Sequence, residues 1–144
     1  MKLQFTRLDP EARAPARAQP GDAGLDLSAN ADVKVMPGER ALVPTGIALV
    51  VPEGHAGLVL PRSGLASRHG LTLANAPGLI DSGYRGEVTI AVVNLDRVEP
   101  VEIHRGDRIA QLLLVPFAEA EPSEVDELPA SDRGTDGFGS TGLA

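Results

Sequence analysis

The chain is 144 residues long, with 16 glycines, 12 prolines, no cysteine and a formal net charge of −7. That length suits one domain with a real core, and the missing thiols exclude a disulfide framework, a thiolate metal site and a cysteine nucleophile. An acidic chain lacks the basic face that non-specific nucleic-acid binding needs; with no apolar run near the ~20 residues of a membrane span and no apolar signal core after Lys2, a soluble, cytoplasmic protein is expected.

Glycine and proline punctuate the chain so often that short strands suit it better than long helices. Leu3 to Arg7 reads as a first strand, and Asp9 to Gly21, with three prolines, as a loop. In Gly21 to Ala29 the alternation of Leu25 and Leu27 with Asp26 predicts a strand that buries the leucines and turns the carboxylate to the other face. Val33 to Met36, Ala41 to Pro44, Ala48 to Val51 and Ala56 to Leu60 follow as strands, separated by Pro37-Gly38, Thr45-Gly46 and Pro52-Glu53-Gly54. This is the cadence of a meander or jelly roll.

The segment from Pro61 to Gly70 differs, and Ser63 is expected to cap a short helix ending at Gly70. Amides at Ser63 and Gly64, with the Ser63 hydroxyl and Arg62 beside them, suit a phosphate. Leu71 to Asn75 is a further strand, leading into Gly78-Leu79-Ile80-Asp81-Ser82-Gly83-Tyr84-Arg85-Gly86. Read by itself, that stretch is either a hairpin turn with surface charges or a close-approach turn presenting Asp81 and Tyr84 at a pocket floor. Glu87 to Leu95 alternates Val88, Ile90 and Val92 with Thr89, Ala91 and Val93, a largely buried two-sided pattern. Val101 to His104 and Arg108 to Pro116 complete the sheets. In the last of these Gln111 is a lone polar group among aliphatic residues, expected to satisfy a backbone or reach a ligand.

After Phe117 the composition shifts. Residues 119–144 carry seven acids against Arg133, a net of −6, which leaves −1 for residues 1–118. Such a terminus is expected to be flexible without ligand. Residues 137–142 match Gly-x-Gly-x-x-Gly, but only Leu143 and Ala144 remain to form the helix a dinucleotide fold requires. What remains is an arm with a guanidinium, hydroxyls, closely spaced amides and the Phe138 ring, groups that grip phosphate and stack on a base. Other chemistries drop out. Ser63 lacks a nucleophile elbow, His55, His69 and His104 lack ligand spacing, and Lys2 and Lys34, the only lysines, sit in no Walker motif.

Five segments remain: Ala23 to Leu27, Pro61 to Ala66, Gly78 to Gly86, Arg108 to Leu112, and Arg133 to Gly142. In order and spacing they closely resemble the five motifs of the trimeric deoxyuridine triphosphatase (dUTPase) family, over nearly the whole chain. The resemblance implies an all-β, jelly-roll-like barrel or sandwich with one short helix: a core of residues 1–118 and a flexible arm, 119–144, closing over a site of a homotrimer whose three sites are shared between subunits. The implied reaction is Mg²⁺-assisted hydrolysis of dUTP to dUMP and pyrophosphate, keeping uracil out of DNA and supplying dUMP for thymidylate synthesis. By the family pattern Asp81 is the general base for the attacking water, and Asp26 holds Mg²⁺ through water while the phosphates hold it directly. Asn75, Gly78 and Ile80 lie in the hairpin that pairs with uracil, and Tyr84 packs on the deoxyribose. Arg62, Ser63, Gly64 and Gln111 take the α and β phosphates. From the arm, Arg133, Gly139, Ser140 and Thr141 take the γ end, and Phe138 covers the base.

Asp136 departs from the family's usual glycine, which puts the timing of arm closure in doubt. Arg85 is expected in a structural ion pair. The alternatives are a dCTP deaminase-like enzyme, whose glutamate would fall at Ala91, and a non-catalytic nucleotide-binding regulator on the same scaffold.

Overall fold

The structure, a computed structural model, describes residues 1–132 together with Gly134 and Thr135. Among the described residues the elements run β1 (Gln4–Arg7), β2 (Leu25–Ser28), β3 (Val33–Val35), β4 (Arg40–Val50), β5 (His55–Pro61), α1 (Ser63–His69), β6 (Leu71–Leu73), β7 (Gly78–Ile80), β8 (Glu87–Asn94), β9 (Val101–Ile103) and β10 (Arg108–Pro116). Two four-stranded sheets, β1-β4-β8-β6 and β2-β10-β5-β7, and a ribbon of β3 and β9 form a jelly-roll-like sandwich in which the named pairings are antiparallel.

Alternation places the core. Val43, Ile47, Leu49, Ile90 and Val92 of the first sheet are buried with Leu27, Val59, Ala110 and Leu112 of the second. Full burial of one such side chain is worth about 1.5–3 kcal/mol before chain ordering opposes it. In β8 the two-sided expectation is corrected: Val88, Ile90, Val92 and Asn94 are buried, Ala91 and Val93 half-buried and Thr89 exposed. Among the described residues that face is the more exposed one.

Three local expectations also change. The strands expected at Ala41 to Pro44 and Ala48 to Val51 are one strand, β4, whose register against β8 shifts between Pro44 and Ala48. There Thr45 Oγ1 donates to Val88 O, and Gly46 N donates to Glu87 Oε1 at 2.7 Å. Side chains thus replace ladder bonds, so the strand bulges instead of turning. Ser63 does not cap α1. The N-cap is Arg62, in extended conformation and without a side-chain cap bond, so Ser63 is the first helical residue. The glycine-rich stretch contributes a strand, β7, with Ile80 opposite Gly57 and Gly78 opposite Val59 on β5.

Asn94 joins the layers. Fully buried, it donates through Nδ2 to Val35 O at 3.0 Å and Glu99 O at 2.9 Å, and accepts from Asp96 N at 2.9 Å. The first loop is pinned separately: Asp9 accepts from Asn30 Nδ2 and Glu11 N, each at 2.9 Å, and pairs with Arg105 at 3.0 Å. Beyond Phe117, residues 118–132 are exposed and without regular structure. No helix among the described residues is long and apolar enough to cross a membrane.

Asn94→Ala strands two carbonyls and an amide, so urea unfolding should show a loss of about 2–4 kcal/mol. The hydrogen bond from Asn30, then that from the Glu11 amide, with Arg105 adding attraction, hold the Asp9 carboxyl below its usual range. A depressed folded pKa gives stability present above the unfolded value, about 3.9, and lost as pH falls through the folded one. Asp9→Asn should therefore lose less stability than the parent between pH 5 and lower pH, read from urea midpoints.

Candidate active site

The expected site residues fall into two groups. The first lies where β2, β10, the end of β5 and the start of α1 meet. Asp26 and Gln111 are register partners on β2 and β10, and Gln111 faces Leu60 on β5. The Asp26 side chain, 15% exposed, places Oδ1 3.5 Å from Arg62 Nε and accepts from Arg108 Nη1 through Oδ2 at 2.9 Å. Arg62 Nη1 donates in turn to Arg108 O at 2.8 Å. Gln111 resolves the question raised by its sequence context, since Nε2 donates to Pro61 O at 3.0 Å. Asp26, Arg62 and Gln111 line a cavity of about 380 Å³ with Asp22, Gly24, Ser63 and Gly64. The Arg62 guanidinium and the uncapped start of α1 make it a place for an anion, with Arg108 behind it on the other oxygen of Asp26.

Arg108 was given no role by sequence reasoning. Gln111 follows it three positions later, an odd offset that in a regular strand puts the two on opposite faces. A register shift between Arg108 and Ala110 brings both toward Asp26. Periodicity does not reveal that bulge; the guanidinium at the start of the strand was the available signal.

The second group lies on the far side of β5. Strand β6 ends with Leu73 opposite Val92, leaving the beginning of β8 without a partner on that side. The chain from Asn75, through the cis Ala76–Pro77 bond and β7, folds beside this open edge. Asn75, Gly78, Ile80, Asp81 and Tyr84 line a cavity of about 220 Å³ whose wall includes Thr89 and Ala91. Asp81 is exposed, and its carbonyl accepts from Tyr84 N at 3.1 Å. Tyr84 Oη donates to Glu87 O at 2.9 Å. Arg85 makes no ion pair among the described residues, correcting that expectation. Its Nη1 donates to Ser82 O and Tyr84 O, each at 2.7 Å, and so braces the turn internally.

A single chain keeps the two groups apart. Ile80 lies opposite Gly57, five residues before Arg62 on the extended β5, a span of about 17 Å at the strand rise. Asp81 is one residue further from Arg62, and β2 and β7 are opposite edges of their sheet. The remaining expected residues, Arg133, Phe138, Gly139, Ser140 and Thr141, with Asp136, lie outside the described residues.

Among the described residues no group of three or more His, Cys, Asp or Glu side chains could hold a metal ion. Asp26 also has both carboxylate oxygens turned to guanidiniums. Such a donor set fits a hydrated divalent ion carried by an anionic ligand, because magnesium retains several waters and needs few protein oxygens.

Comparison with known proteins places this geometry. Residues 10–142 match the dUTPase family. A deoxyuridine 5'-triphosphate nucleotidohydrolase of Thermobifida fusca is 54% identical over 142 residues, covering 99% of this chain and 79% of that protein. A mutant dUTPase of Staphylococcus bacteriophage 80alpha, solved with dUpNHpp, superposes with a TM-score of 0.92 at 32% identity over 99% of both chains. A mutant dUTPase from phage phi11 of S. aureus, described for its coordination of a structural Mg(II) ion, gives 0.83 at 30% identity over 90% of this chain and all of the other.

Asp26→Ala should leave two neighbouring guanidiniums without their carboxylate and lower stability by about 1–3 kcal/mol in urea unfolding. Asp26→Asn, which keeps one acceptor oxygen, should lose less.

Proposed function

The chain belongs to the dUTPase family and is a dUTP diphosphatase, and on that premise we propose that its sites are composite, formed between the subunits of a homotrimer. The observation that carries this reading is the span of about 17 Å along β5 between the strand that presents Asp81 and the start of α1. A base for attack on the α-phosphorus and the groups that hold that phosphate must meet within a few ångströms. One chain separates them, so the Asp81 cavity of one subunit faces the Arg62 cavity of the next. The outer face of β4 and β8 suits such an assembly: Leu42 is 72% exposed there, in register with Ala91, and Arg40 with Val93. Exposed apolar surface of this kind marks interfaces.

In the composite site Asp81 accepts the proton of the water that attacks the α-phosphorus, and pyrophosphate leaves with the electron pair of the broken P–O bond. Exposure of Asp81 in the single chain leaves it free to meet that water. Arg62, the amides of Ser63 and Gly64, and Gln111 hold the α and β phosphates, with Arg108 close by. Asp26 fixes both guanidiniums, so they are oriented before substrate arrives. Asp26 would hold Mg²⁺ through water beside the bound triphosphate, and the ion would offset charge on the phosphates. Backbone groups at Gly78 and Ile80 with the Asn75 amide read uracil, and Tyr84 lies against deoxyribose, where a 2'-hydroxyl would clash. The arm of residues 119–144 supplies Arg133, Gly139, Ser140 and Thr141 to the γ end and Phe138 to the base, excluding water on closure.

Deamination is disfavoured by Ala91, a methyl in the cavity wall where the deaminase would need a carboxylate. The physiological consequence proposed for the cytoplasm is removal of dUTP before it enters DNA, with dUMP released for thymidylate synthesis.

Asp81→Asn should bind dUTP near normally by calorimetry while turnover falls about 10²- to 10⁴-fold; near-normal turnover would reject the base assignment. Truncation after Ser131 should leave assembly unchanged by sedimentation and remove most hydrolysis. Full activity without the arm would reject its role.

A further inference from the structure

Tyr84 sits on its own chain. Its Oη reaches Glu87 O at 2.9 Å, and the hydroxyl end of the ring lies against Gly86 between them. A methyl group built at Gly86 would lie 2.7 Å from Tyr84 Cζ and 3.1 Å from Cε2, well inside the 3.5–4.0 Å at which carbon atoms rest against each other. The backbone of Gly86 does not demand glycine. Its φ is not left-handed and the residue is exposed, so a larger side chain meets no backbone strain. The obstacle is the ring.

The residue between them strengthens the arrangement. Arg85 grips the carbonyls of Ser82 and Tyr84, which fixes the backbone from which the tyrosine side chain leaves. The side chain is therefore held at its root by Arg85 and at its tip by the Glu87 carbonyl, and the missing side chain of Gly86 leaves room for its hydroxyl end. It forms part of the cavity wall alongside Asp81 and Asn75.

We infer that Gly86 is a positioning residue for sugar selection: by lacking a side chain it lets Tyr84 lie flat against the chain, at the depth that admits a deoxyribose and rejects a ribose. The inference rests on the proposed contact of Tyr84 with the sugar. A methyl at Gly86 lifts the ring, either into the sugar's place or away from it, and both displacements spoil discrimination between dUTP and UTP.

Tyr84 is the only tyrosine, and the chain has no tryptophan, so tyrosine emission reports this ring alone. In Gly86→Ala, acrylamide quenching of that emission should rise, and the preference for dUTP over UTP, taken as the ratio of kcat/KM values, should fall about tenfold. In a Tyr84→Ala background, adding Gly86→Ala should change the preference less than about twofold, because the two residues act as one unit. Thermal melting of each variant shows that the fold is kept. Unchanged quenching and preference in Gly86→Ala would overturn the inference. So would a loss of preference that Gly86→Ala still causes without the Tyr84 ring. If Tyr84→Ala alone leaves the preference intact, the sugar reading of Tyr84 fails and the selection role of Gly86 falls with it, while quenching still decides whether Gly86 seats the ring.

Discussion

The rigid length of β5 governs the rest of the structure. Paired on one side to β10 from Pro61 back to His55 and on the other to β7, it cannot shorten or bend without losing ladder bonds on both edges. Its two ends carry the two halves of the chemistry: the turn after β7 presents Asp81 near one, and the start of α1 presents Arg62, Ser63 and Gly64 at the other. On the proposed reading a monomer folded this way is chemically incomplete, and assembly would serve the reaction as well as cover Leu42 and its neighbours.

Each half is rigid for its own reason. Around Asp26, one carboxylate holds two guanidiniums, and those guanidiniums are tied to each other through the Arg108 carbonyl. Bringing two cations together beside an uncapped helix start would be unfavourable without that carboxylate, and their attraction for phosphate would be poorly aimed. Around Tyr84, the bracing uses no charge pair. Arg85 and Tyr84 bond to backbone carbonyls and Gly86 leaves room, so the wall beside the Asp81 carboxylate is held without a charge pair. On the proposed reading the cationic half takes phosphate and this half takes base and sugar.

How much of this could be read in advance follows from what each signal measures. Alternation located β2 and β8, and turn punctuation with aliphatic runs located β5 and β10, because these strands bury aliphatic side chains in the core. It failed at β4, where Thr45, Gly46 and Glu87 exchange hydrogen bonds that carry no periodic mark, and at Arg108, where a bulge reverses the expected face. The short β7 was hidden because glycine and aspartate ordinarily signal turns; its pairing with β5 is a tertiary effect. Ser63 was assigned the cap on composition, while the backbone placed Arg62 there. Motif order grouped Asp81, Tyr84, Arg62 and Gln111 as expected members of a site shared between subunits, and strand register adds the distance that separates them within one chain. Sequence also gave no sign that Arg85 would brace its own turn in place of an ion pair.

The composite site is the central claim, and subunit mixing tests it most directly. Asp81→Asn and Arg62→Ala chains each should be nearly inactive alone, since every site lacks one half. Co-refolded in equal amounts, they should regain dUTP hydrolysis at roughly a quarter of the sites, those where an intact Asp81 from one subunit meets an intact Arg62 from its neighbour. Activity in the mixture no greater than that of the two variants measured separately, with subunit exchange confirmed by native mass spectrometry, would contradict the account.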